Sequence, residues 1–227
     1  MKYGIMGAMP DEVDQLCARL SGVEVQQYAG VEYHQGRLGD KEVVVCCAGM
    51  GKANAAATTQ VLCGKFGAQA IIFSGIAGNM SEEIGIGDVV VGKEVCYHDA
   101  EVSMICQSAP FLKSYTGDPA LVQAALDACA ALGVKAIAGR IATGDTFVGD
   151  GATKAVIAEK VHPDCVEMEG AAVSQIAARN GVPCVVLRAM SDNADESGHE
   201  LLVVKKFSIA EYVTTATAIV ARMLKSL

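Results

Sequence analysis

Short, mostly apolar runs alternate along this chain with segments whose apolar residues recur every three or four positions. Four of the runs cover residues 2–6, 43–48, 70–73 and 183–189. Strands that are covered on both faces show such runs, whereas amphipathic helices show the longer spacing. The alternation predicts an α/β fold, a single-domain three-layer αβα sandwich with a central mixed β-sheet, spanning residues 1–227.

The same two spacings predict the remaining elements. Pro10 suits the first turn of a helix, and apolar residues that share one face follow it to residue 20. Residues 100–116 show no clear period. Further helices are predicted at 52–66, 119–132, 152–160, 170–180 and 207–224, and further strands at 89–97, 134–143 and near 166–168. A polar stretch after the first helix, with alternation through residues 28–38, resembles a hairpin.

Composition and charge exclude several classes of protein. Of the 227 residues, 52% are hydrophobic and 19% are charged, which is typical of a globular chain and not of a disordered one. The net charge is −8, so we expect binding neither to nucleic acid nor to an anionic membrane. No apolar run approaches the roughly 18 residues that a membrane helix needs.

The nine cysteines indicate a reducing compartment. Their number is odd and no two have C-x-x-C spacing, so neither a zinc motif nor a redox motif is supported. A phosphate loop at Gly49–Lys52 is excluded because Ala53 replaces the required Ser or Thr, and the four His residues are scattered. We expect a cytoplasmic protein without a metal, since the N-terminal apolar stretch is also too short for a signal peptide.

The stretch Val166–Gly170 places two carboxylates in an apolar context. Glu167 and Glu169 are two residues apart, so on an extended segment both point to one face. A carboxylate there needs solvent, a charged partner or hydrogen bonds. One interpretation is a purely structural pair, in which one Glu is exposed and the other lies at a helix N-terminus. The alternative is a functional pair.

Glycines and acids follow several other predicted strands. They occur at Glu12 and at residues 74–78, 144–148 and 191–192. Ligands bind at the carboxyl ends of strands in open α/β sheets. Glu12, Glu169 and Asp192 would meet there, and three carboxylates without a metal motif indicate acid–base chemistry. Each residue taken alone also has a structural interpretation as a helix or turn residue.

Five segments resemble the nucleoside phosphorylase family, and in particular its hydrolytic branch, the 5′-methylthioadenosine/S-adenosylhomocysteine nucleosidases. They are Gly4–Glu12, Ser74–Gly78, Gly144–Val148, Val166–Glu169 and Arg188–Asp192. The resemblance implies a phosphorylase-like fold and hydrolysis of the N-ribosidic bond of these nucleosides and related 5′-modified adenosines. The products would be adenine and the 5-thioribose, and no cofactor would be needed.

The resemblance also implies roles for individual residues. Glu12 would activate the attacking water, and Asp192 would protonate purine N7 with help from Ser191. Glu169 would hold the ribose hydroxyls, against which Met168 would pack. A water molecule attacks efficiently only if a positioned base takes its proton, and the purine leaves more easily once N7 is protonated.

Five further residues are implied to bind the substrate. Phe147 would stack on adenine, and the backbone of Val148 would read the edge of the base. Gly78 would line the ribose and water pocket, Arg188 would support the carboxylates, and Phe207 would close the site. The chain departs from the pattern at Ile76, where such hydrolases commonly have a Ser, so the water network is expected to differ.

The nucleosidases that the chain resembles are homodimers in which a segment of one subunit reaches the partner's pocket. Here that segment is largely apolar, at residues 101–106. A monomer rarely exposes such a stretch. We therefore expect a homodimer in which Val102 and Ile105 line the partner's site for the 5′ substituent, although the segment could instead be a buried loop of its own chain.

Three other functions remain open at this point. A phosphorylase would need Arg or Lys aimed at the ribose to bind phosphate, and Glu12 would repel that anion. A nucleosidase acting on an aminofutalosine-type nucleoside is the second. A nucleoside sensor without catalysis is the third, and the joint presence of Glu12, Glu169 and Asp192 argues against it.

Overall fold

The ten strands found in the described part of the chain form one mixed sheet. The computed structural model describes residues 1–199 and 210–227. The strands are β1 (Lys2–Gly7), β2 (Ser21–Tyr28), β3 (Val31–Leu38), β4 (Lys41–Cys47), β5 (Ala70–Asn79), β6 (Val89–Tyr97), β7 (Tyr115–Thr116), β8 (Ala136–Thr143), β9 (Cys165–Glu167) and β10 (Cys184–Asp192).

Strand β5 is the centre of the sheet because it pairs with three neighbours. Its first half lies parallel to β1, most of its length lies parallel to β10, and its last two residues pair with β9 in antiparallel orientation. Strands β10, β6, β8 and β9 then close a ring of five strands with β5. Strands β4, β3 and β2 extend in that order from β1 as an open wing, and the two-residue β7 pairs with β6.

Helices cover both faces of the sheet. Alternate residues of each strand point to opposite faces. In β5, Ile72 belongs to the apolar core under α1, α4 and α8, whereas Phe73 belongs to the core under α2 and α6. The helices are α1 (Pro10–Cys17), α2 (Lys52–Gly64), α3 (Val102–Ile105), α4 (Pro119–Ala131), α5 (Gly151–Val161), α6 (Gly170–Arg179), α7 (Glu196–His199) and α8 (Ala210–Ser226). The predicted α/β class with a mixed central sheet is confirmed.

Two strands run further than the sequence predicted. We expected the strand beginning at Ala70 to end at Phe73, but β5 continues to Asn79, and β10 continues past Ala189 to Asp192. The small and polar residues in these extensions have the composition of turns. They remain in the sheet because the two extensions pair with each other, with Asp192 opposite Gly78.

The segment predicted to be irregular contains the short helix α3 and the two-residue strand β7. The predicted start of the last helix at residue 207 lies outside the described residues, which place α8 at Ala210–Ser226. No helix within residues 1–199 and 210–227 is both long and apolar enough to cross a membrane.

Candidate active site

A cavity of about 400 Å³ opens where β1, β5, β9 and β10 end. This is the edge at which the sequence predicted ligand binding. Its lining includes Glu12, Gly78, Phe147, Met168, Glu169, Arg188, Ser191 and Asp192, together with Ala8, Met9, Asp11, Met50, Ile76, Ala77, Val166 and Glu167. The structure thus brings together residues as far apart in the sequence as Ala8 and Asp192.

Glu12 is held in place by three backbone N–H groups. Because it is the third residue of α1, its side chain reaches back, and Oε2 accepts hydrogen bonds from Ala8 N at 2.6 Å and Met9 N at 2.9 Å. Oε1 accepts a third from Ile76 N at 3.1 Å. Burial raises the pKa of Glu12 above its usual value, against the opposing effects of the Arg188 charge and these N–H groups. A fixed carboxylate with a raised pKa is suited to taking a proton.

Ile76 contributes to the site through its backbone groups. Besides donating to Glu12, Ile76 accepts a hydrogen bond at its carbonyl from Arg188 Nη1 at 3.3 Å. The preceding Gly75 is required by space, since a Cβ there would lie 2.6 Å from Glu12 Oε1 and would also collide with Arg188 Nη1. The carboxylate and the guanidinium therefore both pack directly against this part of β5.

Arg188 is 1% exposed and stabilises two carboxylates. It forms ion pairs with Glu167 and, at 3.3 Å, with Glu169, and its guanidinium lies 4.3 Å from the centre of the Phe73 ring. Glu167 also accepts hydrogen bonds from the backbone N–H groups of Glu169 at 3.0 Å and Gly170 at 2.7 Å, and from the Thr143 hydroxyl. The supporting role of Arg188 stays a prediction, and these are the contacts through which it would act.

Glu167 is a site residue for which the sequence predicted no role of its own. The spacing of Glu167 and Glu169 in the sequence did signal a pair on one face, and both reach Arg188. They do so differently, because Glu167 is the last residue of β9 and caps the start of α6 from inside the protein. Glu167 therefore lines the cavity and also orients its neighbours, because its carboxylate accepts hydrogen bonds from Glu169 N and Gly170 N.

Glu169 is the N-cap residue of α6, and its side chain faces the cavity. Its Oε1 accepts a hydrogen bond from Gly51 N at 2.8 Å. Burial, together with the negative charge of Glu167, raises the pKa of Glu169 to about 7, against the opposing charge of Arg188. Near neutral pH this carboxyl can therefore both accept and donate hydrogen bonds, which suits a partner with hydroxyl groups.

Asp192 ends β10 and is 4% exposed. Its Oδ1 accepts a hydrogen bond from Ala194 N at 2.8 Å, and its Oδ2 lies 2.8 Å from Ser191 Oγ. The Ser191 hydroxyl also lies 3.3 Å from the carbonyl of Ala77. If it donates to Ala77, it can accept a hydrogen bond from protonated Asp192. Ser191 can thus pair with Asp192 in either protonation state.

The lack of a side chain at Gly78 leaves room for the Asp192 carboxylate. A Cβ at Gly78 would lie 3.0 Å from Asp192 Oδ1 and 2.8 Å from the side chain of Ala194. Real Cβ atoms essentially never approach that closely. The glycine predicted to line the pocket therefore also permits the close packing of β5 against the end of β10.

The remaining predicted residues fall into three groups. Met168 and Phe147 line the cavity, with Phe147 40% exposed, and Val148 is buried next to it. Val102 and Ile105 are half-buried in α3 against the core of their own chain, away from the cavity lining. Phe207 lies outside the described residues.

Comparisons with known proteins show the family to which the chain belongs. The model of the phosphorylase superfamily matches residues 2–225. The 5′-methylthioadenosine/S-adenosylhomocysteine nucleosidase of Shewanella sediminis is 42% identical over 201 residues, which cover 86% of this chain and 87% of the relative. The crystal structure of the Colwellia psychrerythraea nucleosidase in complex with adenine superposes with a TM-score of 0.92 at 32% identity and covers 100% of this chain and 96% of its own.

A second activity is found among the similar structures. The futalosine hydrolase of Helicobacter pylori superposes with a TM-score of 0.90 at 29% identity, covering 100% of this chain and 98% of its own. The same fold therefore carries hydrolases that are named for different nucleoside substrates.

Proposed function

This chain belongs to the phosphorylase superfamily and, within it, to the 5′-methylthioadenosine/S-adenosylhomocysteine nucleosidases, and we propose that it hydrolyses the N-ribosidic bond of these two nucleosides. The products are adenine and the corresponding 5-thioribose. One observation carries the proposal. Glu12 and Asp192 are buried carboxylates that accept hydrogen bonds from backbone N–H groups. Both line one cavity together with Glu169.

In the proposed reaction, water attacks the anomeric carbon as the bond to the purine breaks. Glu12 takes a proton from the water, whose oxygen bonds to the sugar. The electrons of the broken bond pass to the purine, and Asp192 donates a proton to its N7. Glu169 accepts hydrogen bonds from the ribose hydroxyls and places negative charge near a sugar that becomes positive.

The charges around the cavity favour water over phosphate as the nucleophile. Among the described residues that line it, Arg188 is the only basic one, and two carboxylates already pair with it. Glu12, Glu169 and Asp192 would repel a phosphate dianion. To bind phosphate, a phosphorylase needs an Arg or Lys at this place that is not already paired with a carboxylate.

Incubating the protein with 5′-methylthioadenosine, with and without phosphate, tests the proposal. We expect adenine and 5-methylthioribose to form at the same rate in both reactions. Formation of a ribose 1-phosphate product that depends on added phosphate would contradict the hydrolase assignment. No adenine release under either condition would favour a sensor that binds nucleosides without catalysis.

The similarity to the futalosine hydrolase makes one other substrate worth testing. Both substrate classes would present a purine, a ribose and a 5′ substituent to the same cavity. The ratio of kcat/KM for 5′-methylthioadenosine and for an aminofutalosine-type nucleoside decides between them. We expect the ratio to favour 5′-methylthioadenosine.

We also propose that the protein works as a homodimer in the cytoplasm. Exposed apolar side chains near α3 support a contact surface, with Met104 63% and Phe111 69% exposed. In this arrangement Val102 and Ile105 line the partner's site at the 5′ substituent. The nine free cysteines support a reducing compartment.

A further inference from the structure

A small group of charged residues beside the cavity ties three loops together. Lys52 Nζ lies 2.8 Å and 2.7 Å from the two carboxylate oxygens of Asp99 and 3.5 Å from Asp145 Oδ2. The backbone adds two links, since Lys52 N donates to Asp145 Oδ1 at 2.8 Å and Asp145 N donates to Asp99 Oδ2 at 2.9 Å. We call these three residues the Lys52 cluster.

Two members of the Lys52 cluster directly adjoin parts of the site, although none of the three lines the cavity. Lys52 begins α2 and follows Gly51, whose N–H donates to Glu169. Asp145 comes two residues before Phe147. Asp99 follows β6 and connects the other two to the ring of strands. Moving the segment that carries Lys52 or the one that carries Asp145 would therefore move a group that contacts or lines the cavity.

We propose that Lys52 is a positioning residue for substrate binding. It holds the Gly51 N–H against Glu169 at the ribose end and the segment carrying Phe147 at the purine end. This inference rests on the proposed function, because that function assigns the ribose to Glu169 and the purine to Phe147.

The electrostatics explain why a cation is needed at this place. Asp99 and Asp145 approach each other closely, and Lys52 is the cation between them. The side chains of Lys52 and Asp99 are 24% and 25% exposed, so solvent screens the pair only in part. Without Lys52, repulsion between the two carboxylates would drive the loops apart.

Replacing Lys52 with methionine tests the proposal, because Lys52→Met removes the charge and keeps most of the side-chain length. We expect KM for 5′-methylthioadenosine to rise about tenfold, equivalent to about 1.4 kcal/mol. The affinity for adenine, measured by calorimetry, should fall by a similar factor. The value of kcat should change less than about threefold, because Glu12 and Asp192 lie on other elements.

Two rescue variants and one control separate positioning from a general loss of structure. Lys52→Arg keeps the cation and should bind as the wild type does. Adding Asp99→Asn to Lys52→Met removes one of the repelling charges and should restore part of the affinity. Lys65→Met is the matched control, because Lys65 caps the far end of α2, where its Nζ lies 4.5 Å from the centre of the Tyr28 ring.

The outcomes distinguish this inference from the proposed function. If the wild-type protein releases no adenine, the proposed function fails, and adenine binding by calorimetry still reports on Lys52. An active wild type together with unchanged KM and adenine affinity in Lys52→Met would overturn the positioning role. An equal rise in KM for Lys65→Met would also overturn it, because the effect would then belong to helix α2 as a whole.

Discussion

Glu167 and Arg188 form an ion pair in the interior of the protein, with 2% and 1% of their side chains exposed. The pair links the end of β9 to the middle of β10. Arg188 also forms an ion pair with Glu169 and donates a hydrogen bond to the carbonyl of Ile76. The orientation of the site therefore depends on a buried charge pair whose removal would leave Arg188 only partly neutralised.

Breaking this pair should destabilise the whole protein. For Glu167→Leu we expect the free energy of unfolding to fall by about 3–5 kcal/mol, because a buried charge loses its partner. Urea denaturation followed by circular dichroism measures the change. The control is Glu94→Leu, which breaks the partly exposed pair with Arg140 and should have an effect of about 1 kcal/mol or less. Equal losses in both variants would refute the special role of the buried pair.

Asp192→Asn should nearly abolish adenine release while the fold is retained. The isosteric amide keeps the shape at the end of β10 but cannot donate the proton to N7, so we expect kcat to fall by about 10²- to 10⁴-fold. Steady-state kinetics with 5′-methylthioadenosine provide the measurement. Asp195→Asn, a nearby carboxylate that caps a turn through Ser197, should leave kcat unchanged. Turnover by Asp192→Asn within a few-fold of the wild type would mean that another group is the acid.

Glu12→Gln should separate catalysis from binding. The amide can no longer take a proton from water, so kcat should fall by about 10²-fold or more. Binding of adenine should persist, since the purine contacts lie on other elements, and calorimetry can verify this. Asp14→Asn, an exposed carboxylate on the same helix, is the control. A sensor without catalysis would instead give identical results for the wild type and Glu12→Gln.

The pKa of Glu169 makes a prediction about stability and pH. Because burial raises this pKa to about 7 in the folded state, the native protein binds more protons than the unfolded chain between about pH 4.5 and 7. The stability contributed by protonated Glu169 is therefore complete at low pH and is lost as the pH rises through 7. Glu169→Gln removes this titration. As the pH rises through that window, the unfolding free energy of Glu169→Gln should increase relative to that of the wild type by up to about 1.4 kcal/mol per pH unit.

Denaturation curves at pH 5, 6 and 7 measure this difference directly. A constant gap between Glu169→Gln and the wild type would show that Glu169 keeps an ordinary pKa in the folded protein. Because the variant removes the ribose-binding carboxylate, its stability and not its activity is the relevant measurement.

Charging the surface near α3 should weaken dimer formation. Met104 is the better position for this test than Val102 or Ile105, because those two pack against their own core and their substitution would also disturb the fold. For Met104→Asp, light scattering should give a lower mass than for the wild type, and KM for 5′-methylthioadenosine should rise. Val156→Asp, at an equally exposed apolar position on α5, is the control. A wild-type mass of one chain with full activity would exclude the dimer.

The sequence by itself determined most elements of the fold and the residue types at the ends of the strands. Periodicity places β6 at residues 89–97, as the structure does, because apolar spacing reflects which face is buried. The sequence also predicted that Glu12 lies in the first turn of a helix, since Pro10 favours the start of that turn. Each of these features depends on residues that are close together in the sequence, so the pattern of those residues is enough to predict it.

Only the tertiary structure decided how those residues meet. The turn-like composition of residues 74–78 and 190–192 concealed two strand extensions that stabilise each other across more than 100 residues. The pairing of Glu167 with Arg188, the raised pKa of Glu169 and the Lys52 cluster also depend on groups that are distant in the chain. Charge interactions and desolvation depend on distance in space and on burial, and the order of residues alone specifies neither.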